Sequence, residues 1–117
     1  MKIGELAKRT GVSVRMLRYY EQAGLLTPDR RESGYREFSV ADEKIVERIR
    51  TLSEAGLNLA TIRRVIPCMD EQGSTFKPCP QVRPALRAEL DKIARKLDAL
   101  TQSRDILESY LQALVDR

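Results

Sequence analysis

Residues 3–26, IGELAKRTGVSVRMLRYYEQAGLL, decide how the N-terminal part of the chain folds. Apolar residues recur three and four positions apart, which predicts a short helix near the start and a second helix over about residues 14–23. Ser13 precedes the second helix, where an N-cap residue is preferred, and Gly24 follows it, where a left-handed C-cap is preferred. Two short helices joined by a tight turn at Gly11 are typical of a helix-turn-helix motif.

The second of these helices carries basic and aromatic side chains on the face turned away from its apolar residues. An α-helix fits the major groove of DNA, and arginine donates hydrogen bonds to base edges or to phosphates. The pattern therefore predicts that this helix binds double-stranded DNA, against the alternative that its arginines are only hydrated by solvent. The candidate contacts on it are Arg15, Arg18, Tyr19 and Tyr20.

The next segment has the composition of a basic hairpin. Pro28 and the adjoining Ser33 and Gly34 are turn signals, and residues 35–38 are a short strand candidate. A basic hairpin that directly follows a recognition helix is a wing, whose side chains hydrogen-bond the phosphate backbone. Tyr35 and Arg36 are the candidate contacts on this wing.

Two further helices complete the N-terminal part. Ser39 and Asp42 have the spacing of a capping box at the start of a third helix, and Gly56 ends that helix. Asn58 caps a fourth short helix, which Pro67 is expected to terminate.

Composition limits the classes of function that remain. The chain has 117 residues, 42% of them hydrophobic and 32% charged, which is ordinary for one soluble domain. Residues 1–67 hold 13 Lys and Arg against 9 Asp and Glu, whereas residues 68–117 hold 8 of each, so all the excess positive charge lies in the first part. Histidine is absent, which excludes Ser-His-Asp catalysis and histidine-ligated metals. No apolar run could span a bilayer and no signal-peptide pattern opens the chain, so we expect a cytoplasmic protein with no membrane partner. No motif in the sequence indicates an enzyme, so we expect a non-enzymatic protein.

The last third of the chain predicts one long helix with a narrow apolar stripe. The stripe steps alternately by four and three residues over four heptads, with Arg104 at one position, which is the a/d pattern of a coiled coil. A helix over residues 81–117 is too long to cover this stripe against a small domain, so a second copy of the chain is the expected partner; packing on its own domain is the alternative. The predicted dimerisation residues are Leu86, Leu90, Ile93, Leu97, Leu100, Leu107 and Leu111, with Leu114 continuing the stripe.

The connector over residues 68–80 contains both cysteines of the chain, Cys68 and Cys79. Their separation allows a redox disulfide or a thiol-bound metal ion, to which Asp70 and Glu71 could add oxygen ligands. The remaining alternative is two ordinary reduced thiols in a loop. No cofactor is certain from these residues.

The N-terminal motifs resemble those of MerR-family transcription regulators. The segments that carry the resemblance are 3–7, 11–13, 18–21, 24–26, 34–36 and 55–62. The long helix is similar to the family's dimerisation helix in position and character. Phe38 stands where the family usually has Tyr, and Leu57 stands where Phe is common.

The resemblance implies a mainly α chain with a winged helix-turn-helix DNA-binding domain at 1–67, followed by a long antiparallel coiled-coil dimerisation helix. It also implies a homodimer that binds a palindromic promoter operator and distorts the DNA, so that RNA polymerase can use promoter elements whose spacing is too long. Two alternatives stay open. One is a DNA-architectural or excisionase-like protein without an inducer, and the other is a coiled-coil adaptor that binds protein.

Overall fold

The structure, a computed structural model, describes residues 1–30, 36–73 and 75–115. The chain divides into two compact units, Met1–Val82 and Arg83–Arg117. The prediction of a mainly α chain, with a winged helix-turn-helix followed by a long C-terminal helix, is confirmed. The described elements are α1 (Ile3–Thr10), α2 (Val14–Gln22), β1 (Asp29–Arg30), β2 (Arg36–Glu37), α3 (Val40–Glu54), α4 (Leu59–Val65), a 3-10 turn (Ile66–Cys68) and α5 (Val82–Val115).

The ends of α2 follow from its flanking residues. The hydroxyl oxygen of Ser13 accepts a hydrogen bond from the backbone N–H of Met16 at 3.2 Å, which satisfies one of the free donors in the first turn. At the other end Gly24 has a φ of 80°, a left-handed conformation that side chains resist. The N–H of Leu25 then donates to the carbonyl of Tyr20 at 2.9 Å, which closes the helix. Both predicted ends of the recognition helix are confirmed.

The capping box predicted for α3 is also present. The hydroxyl of Ser39 accepts from the Asp42 N–H at 3.2 Å, and the Ser39 N–H donates to Asp42 Oδ2 at 2.8 Å. α4 ends at Val65, within one residue of the end predicted before Pro67, and Pro67 lies inside the 3-10 turn that follows. Proline is tolerated there because the first residues of a helical turn have no carbonyl partner for their N–H groups.

The core of the first unit is aliphatic. α1 packs against α2 and α3, and α3 packs against α4. Their inward-facing residues exclude water, and this burial is the main favourable contribution to the stability of the unit. The largest fully buried side chains are Leu6, Leu17, Leu26, Val46, Ile49, Ile62 and Val65.

The two strands form the base of a wing. β1 and β2 are antiparallel, with Asp29 opposite Glu37, and the residues between the strands, including the predicted contact Tyr35, lie outside the described residues. The chain terminus holds this base in place: the Met1 ammonium donates to the carbonyl of Phe38 at 2.7 Å and to Glu37 Oε2 at 3.0 Å. Phe38 is 3% exposed, so this residue belongs to the core.

The second unit consists of α5 beyond its first residue. Its predicted apolar stripe is open to solvent, with exposed fractions from 36% at Ile93 to 67% at Leu107, and only Leu86 is half-buried. Arg104 is exposed as well and lies 3.9 Å from Glu108 Oε1. We call the eight apolar positions from Leu86 to Leu114 together with Arg104 the seam. No helix within the described residues is long and apolar enough to cross a membrane.

Candidate nucleic-acid interface

One face of α2 presents the predicted DNA contacts to solvent. Arg15, Arg18 and Tyr19 are exposed, and Tyr19 retains 54% of its accessible surface. Spacings of three and four residues place these side chains on one side of the helix. Leu17, on the opposite side, is fully buried and fixes the rotation of the helix against the core. We call Arg15, Arg18 and Tyr19 the recognition face.

Tyr20 does not belong to this face. Its side chain is 6% exposed, and burial raises the pKa of its hydroxyl above the usual value. The physical reason is the helical period, because Tyr20 lies three residues after the buried Leu17. The structure places the ring of Tyr20 in the core, and a role of Tyr20 in DNA binding stays a prediction.

Several arginines of the first unit are already held by other protein groups. Arg9 Nε lies 3.1 Å from both carboxylate oxygens of Glu43, and this hydrogen bond raises the pKa of the guanidinium further above its usual value. Arg50 Nη1 donates to the carbonyl of Thr10 at 2.6 Å. These cations connect helices to one another.

The arginines of the recognition face are different. Arg15 and Arg18 make no ion pair or hydrogen bond with any residue in the described part of the chain. Their guanidinium donors have no partner among residues 1–30, 36–73 and 75–115, and a fixed fork of donors suits phosphates and guanine edges. The unit thus separates structural arginines from arginines that are available to a ligand.

The structure extends this basic surface to α4, which the sequence analysis did not include. Arg63 and Arg64 are both exposed. A Cβ placed on Gly24 would lie 3.7 Å from Arg63 Nη2, so the Arg63 guanidinium lies beside the C-terminal end of α2. Two consecutive arginines in the last turn of a short helix were a visible signal, but only the fold shows that one of them borders the recognition helix.

The structure describes only the base of the wing. The backbone of Arg36 pairs with that of Arg30 in the hairpin, but the side chain of Arg36, like the whole of Tyr35, lies outside what the structure describes. Nearby, hydrogen bonds from the Met1 ammonium and from Lys2 lower the pKa of Glu37 from 4.5 to about 2. Glu37 therefore stays ionised and keeps the base of the wing joined to the chain terminus.

The structure brings the two cysteines close together, which their separation in the connector sequence allows. Cys68 and Cys79 lie at disulfide distance, with their Cα atoms 6.1 Å apart. Asp70 and Glu71 do not join them in a ligand set, because no group of three His, Cys, Asp or Glu side chains that could hold a metal occurs among residues 1–30, 36–73 and 75–115. The described donor set therefore does not fit a closed metal site.

Comparison with known proteins decides the family. Residues 1–67 match the family described as MerR HTH family regulatory protein, and residues 44–110 match the one described as MerR, DNA binding. The chain belongs to the MerR family. The resemblance carried by the N-terminal motifs is confirmed, and DNA-binding transcriptional regulation is the function of this chain.

Individual relatives agree with this assignment. The HTH-type transcriptional regulator HmrR of Rhizobium leguminosarum bv. viciae is 30% identical over 97% of this chain and 85% of its own length. The nodulation protein NolA of Bradyrhizobium diazoefficiens is 36% identical, and the chain covers 42% of its length. Among solved structures, the transcription regulator PbrR691 from Ralstonia metallidurans CH34 in complex with lead(II) is 26% identical, with a TM-score of 0.72 over 92% of this chain and 83% of that one.

Proposed function

We propose that this MerR-family chain binds a palindromic promoter operator as a homodimer and controls transcription by distorting the DNA. The observation that carries the proposal is the recognition face: two exposed arginines without partners among the described residues, on a helix whose opposite side is fixed in the core. A rigid helix with free forked donors supports insertion into a major groove. The domain assignment that follows is a DNA-binding domain at 1–67, a connector at 68–80 and a dimerisation helix at 81–117.

In this proposal each side chain has a distinct role. Arg18 and Arg15 contact base edges or phosphates, and Tyr19 donates its hydroxyl to a phosphate. Tyr20 holds α2 in the core and sets the angle at which the recognition face meets the groove. Tyr35 and Arg36 are wing contacts, and Arg63 adds a cation beside the end of α2.

The homodimer is proposed from α5. A helix in a folded protein gains most of its stability from the packing of its apolar face. No side chain within the described part of the second unit covers the seam. Pairing with a second copy in antiparallel orientation buries both seams and gives the protein two recognition helices. A two-fold symmetric dimer reads a palindromic operator, because each half-site meets an identical helix.

The regulatory step is proposed to be a deformation of the promoter. Contacts to both half-sites supply the free energy that bends and untwists the intervening duplex. RNA polymerase then engages promoter elements that are out of phase in relaxed DNA. A relative named as a transcriptional regulator supports action at a promoter over the DNA-architectural alternative, because an architectural protein does not need to act at a promoter.

A thiol-directed signal at Cys68 and Cys79 is proposed to set the activity of the dimer, through disulfide formation or through a bound metal ion. The disulfide geometry supports the first mode, and the described donor set does not fit a closed metal site. A Cys68→Ser, Cys79→Ser double variant should no longer change transcription when mild oxidant is added. A variant that responds as the parent does would show that the thiols are not the sensor.

Footprinting of the purified protein on its own upstream region tests the proposed function. A protected palindrome between the two promoter elements, with altered cleavage at its centre, is the expected result. Affinity should fall steeply with salt, because each phosphate contact releases counterions. Protection outside any promoter spacer would favour the DNA-architectural alternative, and no protection with salt-insensitive binding of a protein would favour the adaptor.

A further inference from the structure

The described residues between the two cysteines, 69–73 and 75–78, contact one another at several places. The disulfide joins the ends of this segment, and the N–H of Lys77 donates to the carbonyl of Cys68 at 2.6 Å. Inside the loop Met69 pairs with Phe76 in an antiparallel bridge. We call residues 69–78 the disulfide loop.

The disulfide loop lies against α3. The guanidinium of Arg48 donates to the carbonyl of Glu71. Gly73 has a φ of 70°, and a Cβ placed on it would lie only 2.6 Å from Arg48 Nε, so the loop backbone packs directly on the arginine side chain. The positive φ favours glycine at this position, and a larger residue would require the Arg48 side chain to shift. The loop is therefore held at two places, by the covalent bond at its ends and by Arg48 near its tip.

The two sulfur atoms have different surroundings. Cys68 is 3% exposed, whereas Cys79 is half-buried and lies three residues before the start of α5. Cys68 Sγ also accepts a hydrogen bond from the side-chain amide of Gln81, with Nε2 and Sγ 3.1 Å apart. A donor at this distance stabilises negative charge on Cys68 Sγ as it leaves, and the greater exposure of Cys79 makes it the accessible target.

We propose that the Cys68–Cys79 disulfide is a polarised thiol–disulfide exchange site, attacked at Cys79, with Gln81 as the residue that stabilises the departing Cys68 thiolate. The reductant is a dithiol. Its first thiolate forms a bond to Cys79 Sγ while the bond between Cys79 and Cys68 breaks, and Cys68 leaves with the electron pair. The second thiol of the reductant then displaces Cys79.

The exchange balances as a two-electron step. Two electrons and two protons pass to the protein, which ends with two thiols, and the dithiol ends as a disulfide. The reverse exchange with a low-molecular-weight disulfide restores the Cys68–Cys79 bond. Because a reducing cytosol keeps thiols reduced, the closed loop is the state that an oxidising challenge would populate.

This proposal deepens the thiol signal of the proposed function and rests on it for its meaning in transcription. Opening the bond removes the covalent constraint on the disulfide loop and leaves only hydrogen bonds, such as those from Lys77 and Arg48, among the described contacts that hold it. The loop should then exchange its backbone hydrogens faster. The change occurs in the residues that directly precede α5 in the sequence.

The first test identifies the attacked sulfur. The oxidised full-length protein is mixed with glutathione, quenched with acid at short times and mapped by peptide mass spectrometry. We expect the mixed disulfide on Cys79 with a free thiol on Cys68. A mixed disulfide that forms first on Cys68 would overturn the assignment.

The second test measures the role of Gln81. Reduction by dithiothreitol should slow about fivefold in Gln81→Leu, the equivalent of one hydrogen bond. It should slow more in Gln81→Glu, which sets a negative charge beside the leaving thiolate, and should recover in Gln81→Lys, which restores a donor. Gln72→Leu, an exposed glutamine on the disulfide loop, is the matched control and should reduce at the parent rate.

Two further results keep the proposal falsifiable. The free energy of unfolding should be the same in the parent and the Gln81 variants, because a purely structural role would change this free energy as well as the rate of reduction. Reduction rates that are equal in the parent and all Gln81 variants would overturn the role of Gln81. A reduced protein that binds zinc tightly but fails to re-form the bond with oxidised glutathione would overturn the exchange site. None of these rates depends on DNA, so a failed footprint and a failed exchange are distinguishable.

Discussion

The first unit and α5 treat their apolar residues in opposite ways. In the unit Met1–Val82 large aliphatic side chains such as Leu6, Leu17 and Ile49 are fully buried, and both arginines of the recognition helix are exposed. In α5 the apolar seam itself is exposed, with Leu97 and Leu100 at 60% and 66%. The first unit buries its large aliphatic side chains within itself, whereas the seam of the second unit is exposed in the single chain, and we propose that a second copy covers it.

Exposure therefore has a different meaning in each region. Water hydrates an exposed arginine at little cost in free energy, so the recognition face can remain exposed until a polyanion binds. A continuous row of exposed leucines keeps apolar surface in contact with water and favours association. The proposal therefore assigns the recognition face to DNA and the seam to a second copy of this chain, and it predicts that each surface can be changed without affecting the other.

The largest expected effect is the loss of the dimer on changing the seam. Replacing Leu97 and Leu100 by Asp places four carboxylates per dimer in the proposed interface. An uncompensated buried charge costs about 3–5 kcal/mol, so the dissociation constant should rise by about a hundredfold or more. Light scattering should then show a monomer.

A matched control carries the same charge on the other side of α5. Gln102 and Ser109 are exposed and lie outside the seam, so a Gln102→Asp, Ser109→Asp variant should remain dimeric. A dimeric Leu97→Asp, Leu100→Asp protein would mean that the seam is not the interface.

The recognition face is the next most sensitive surface. Arg18→Ala should lower affinity for the operator about tenfold and relax its sequence preference if the contact is to a base. If the contact is to a phosphate, the loss should be uniform over sequences and the salt dependence should become less steep. Fluorescence anisotropy against specific and unrelated duplexes measures both.

Arg9→Ala is the control that sharpens this result. Arg9 is also exposed, but Glu43 holds its guanidinium, so its removal should change DNA affinity by less than about twofold. Equal losses in the two variants would show that pairing within the protein does not distinguish structural arginines from DNA contacts.

The sequence predicts the local features of the fold well because their causes are local. The caps at Ser13 and Gly24 and the capping box at Ser39 depend only on residues a few positions away. The position of the recognition face follows from the helical period, and the same period could have assigned Tyr20 to the core.

Features that depend on distant residues were not predictable in this way. Arg63 borders the end of α2 only because α4 folds back beside it, and the docking of the disulfide loop depends on Arg48, 23 positions before Glu71. The spacing of the cysteines allowed a disulfide but also allowed a metal site. Only the fold shows which groups surround the two sulfur atoms.

A smaller effect concerns acid stability at the base of the wing. The pKa of Glu37 is lowered from 4.5 to about 2 in the folded state, so the folded protein binds fewer protons than the unfolded chain between these pH values. Its contribution to stability is complete above about pH 4.5 and is lost as the pH falls toward 2. Glu37→Gln should lower the melting temperature at neutral pH.

The difference between Glu37→Gln and the parent should shrink as the pH falls through that window. Lys2→Met removes one of the two cations beside Glu37 and should show a weaker form of the same behaviour. Melting curves from pH 7 to strong acid measure both variants. A difference that stays constant with pH would assign the effect of Glu37 to packing and not to its charge.

The smallest effect separates two adjacent tyrosines. Tyr19 is 54% exposed and Tyr20 is 6% exposed, so removal of a single hydroxyl should have different consequences at the two positions. Tyr19→Phe deletes one proposed phosphate contact and should weaken operator binding about threefold, with unchanged stability. Tyr20→Phe should leave DNA affinity unchanged and shift only the free energy of unfolding.

Anisotropy and denaturant unfolding on the same preparations measure this contrast. The two variants lose the same atom, so any difference in DNA affinity must come from where the ring lies. If Tyr20→Phe lost affinity while Tyr19→Phe did not, the DNA-bound helix would have to present a different side from the one exposed here. The recognition face would then have to be redefined to include Tyr20, although its arginine donors would still lack partners among the described residues.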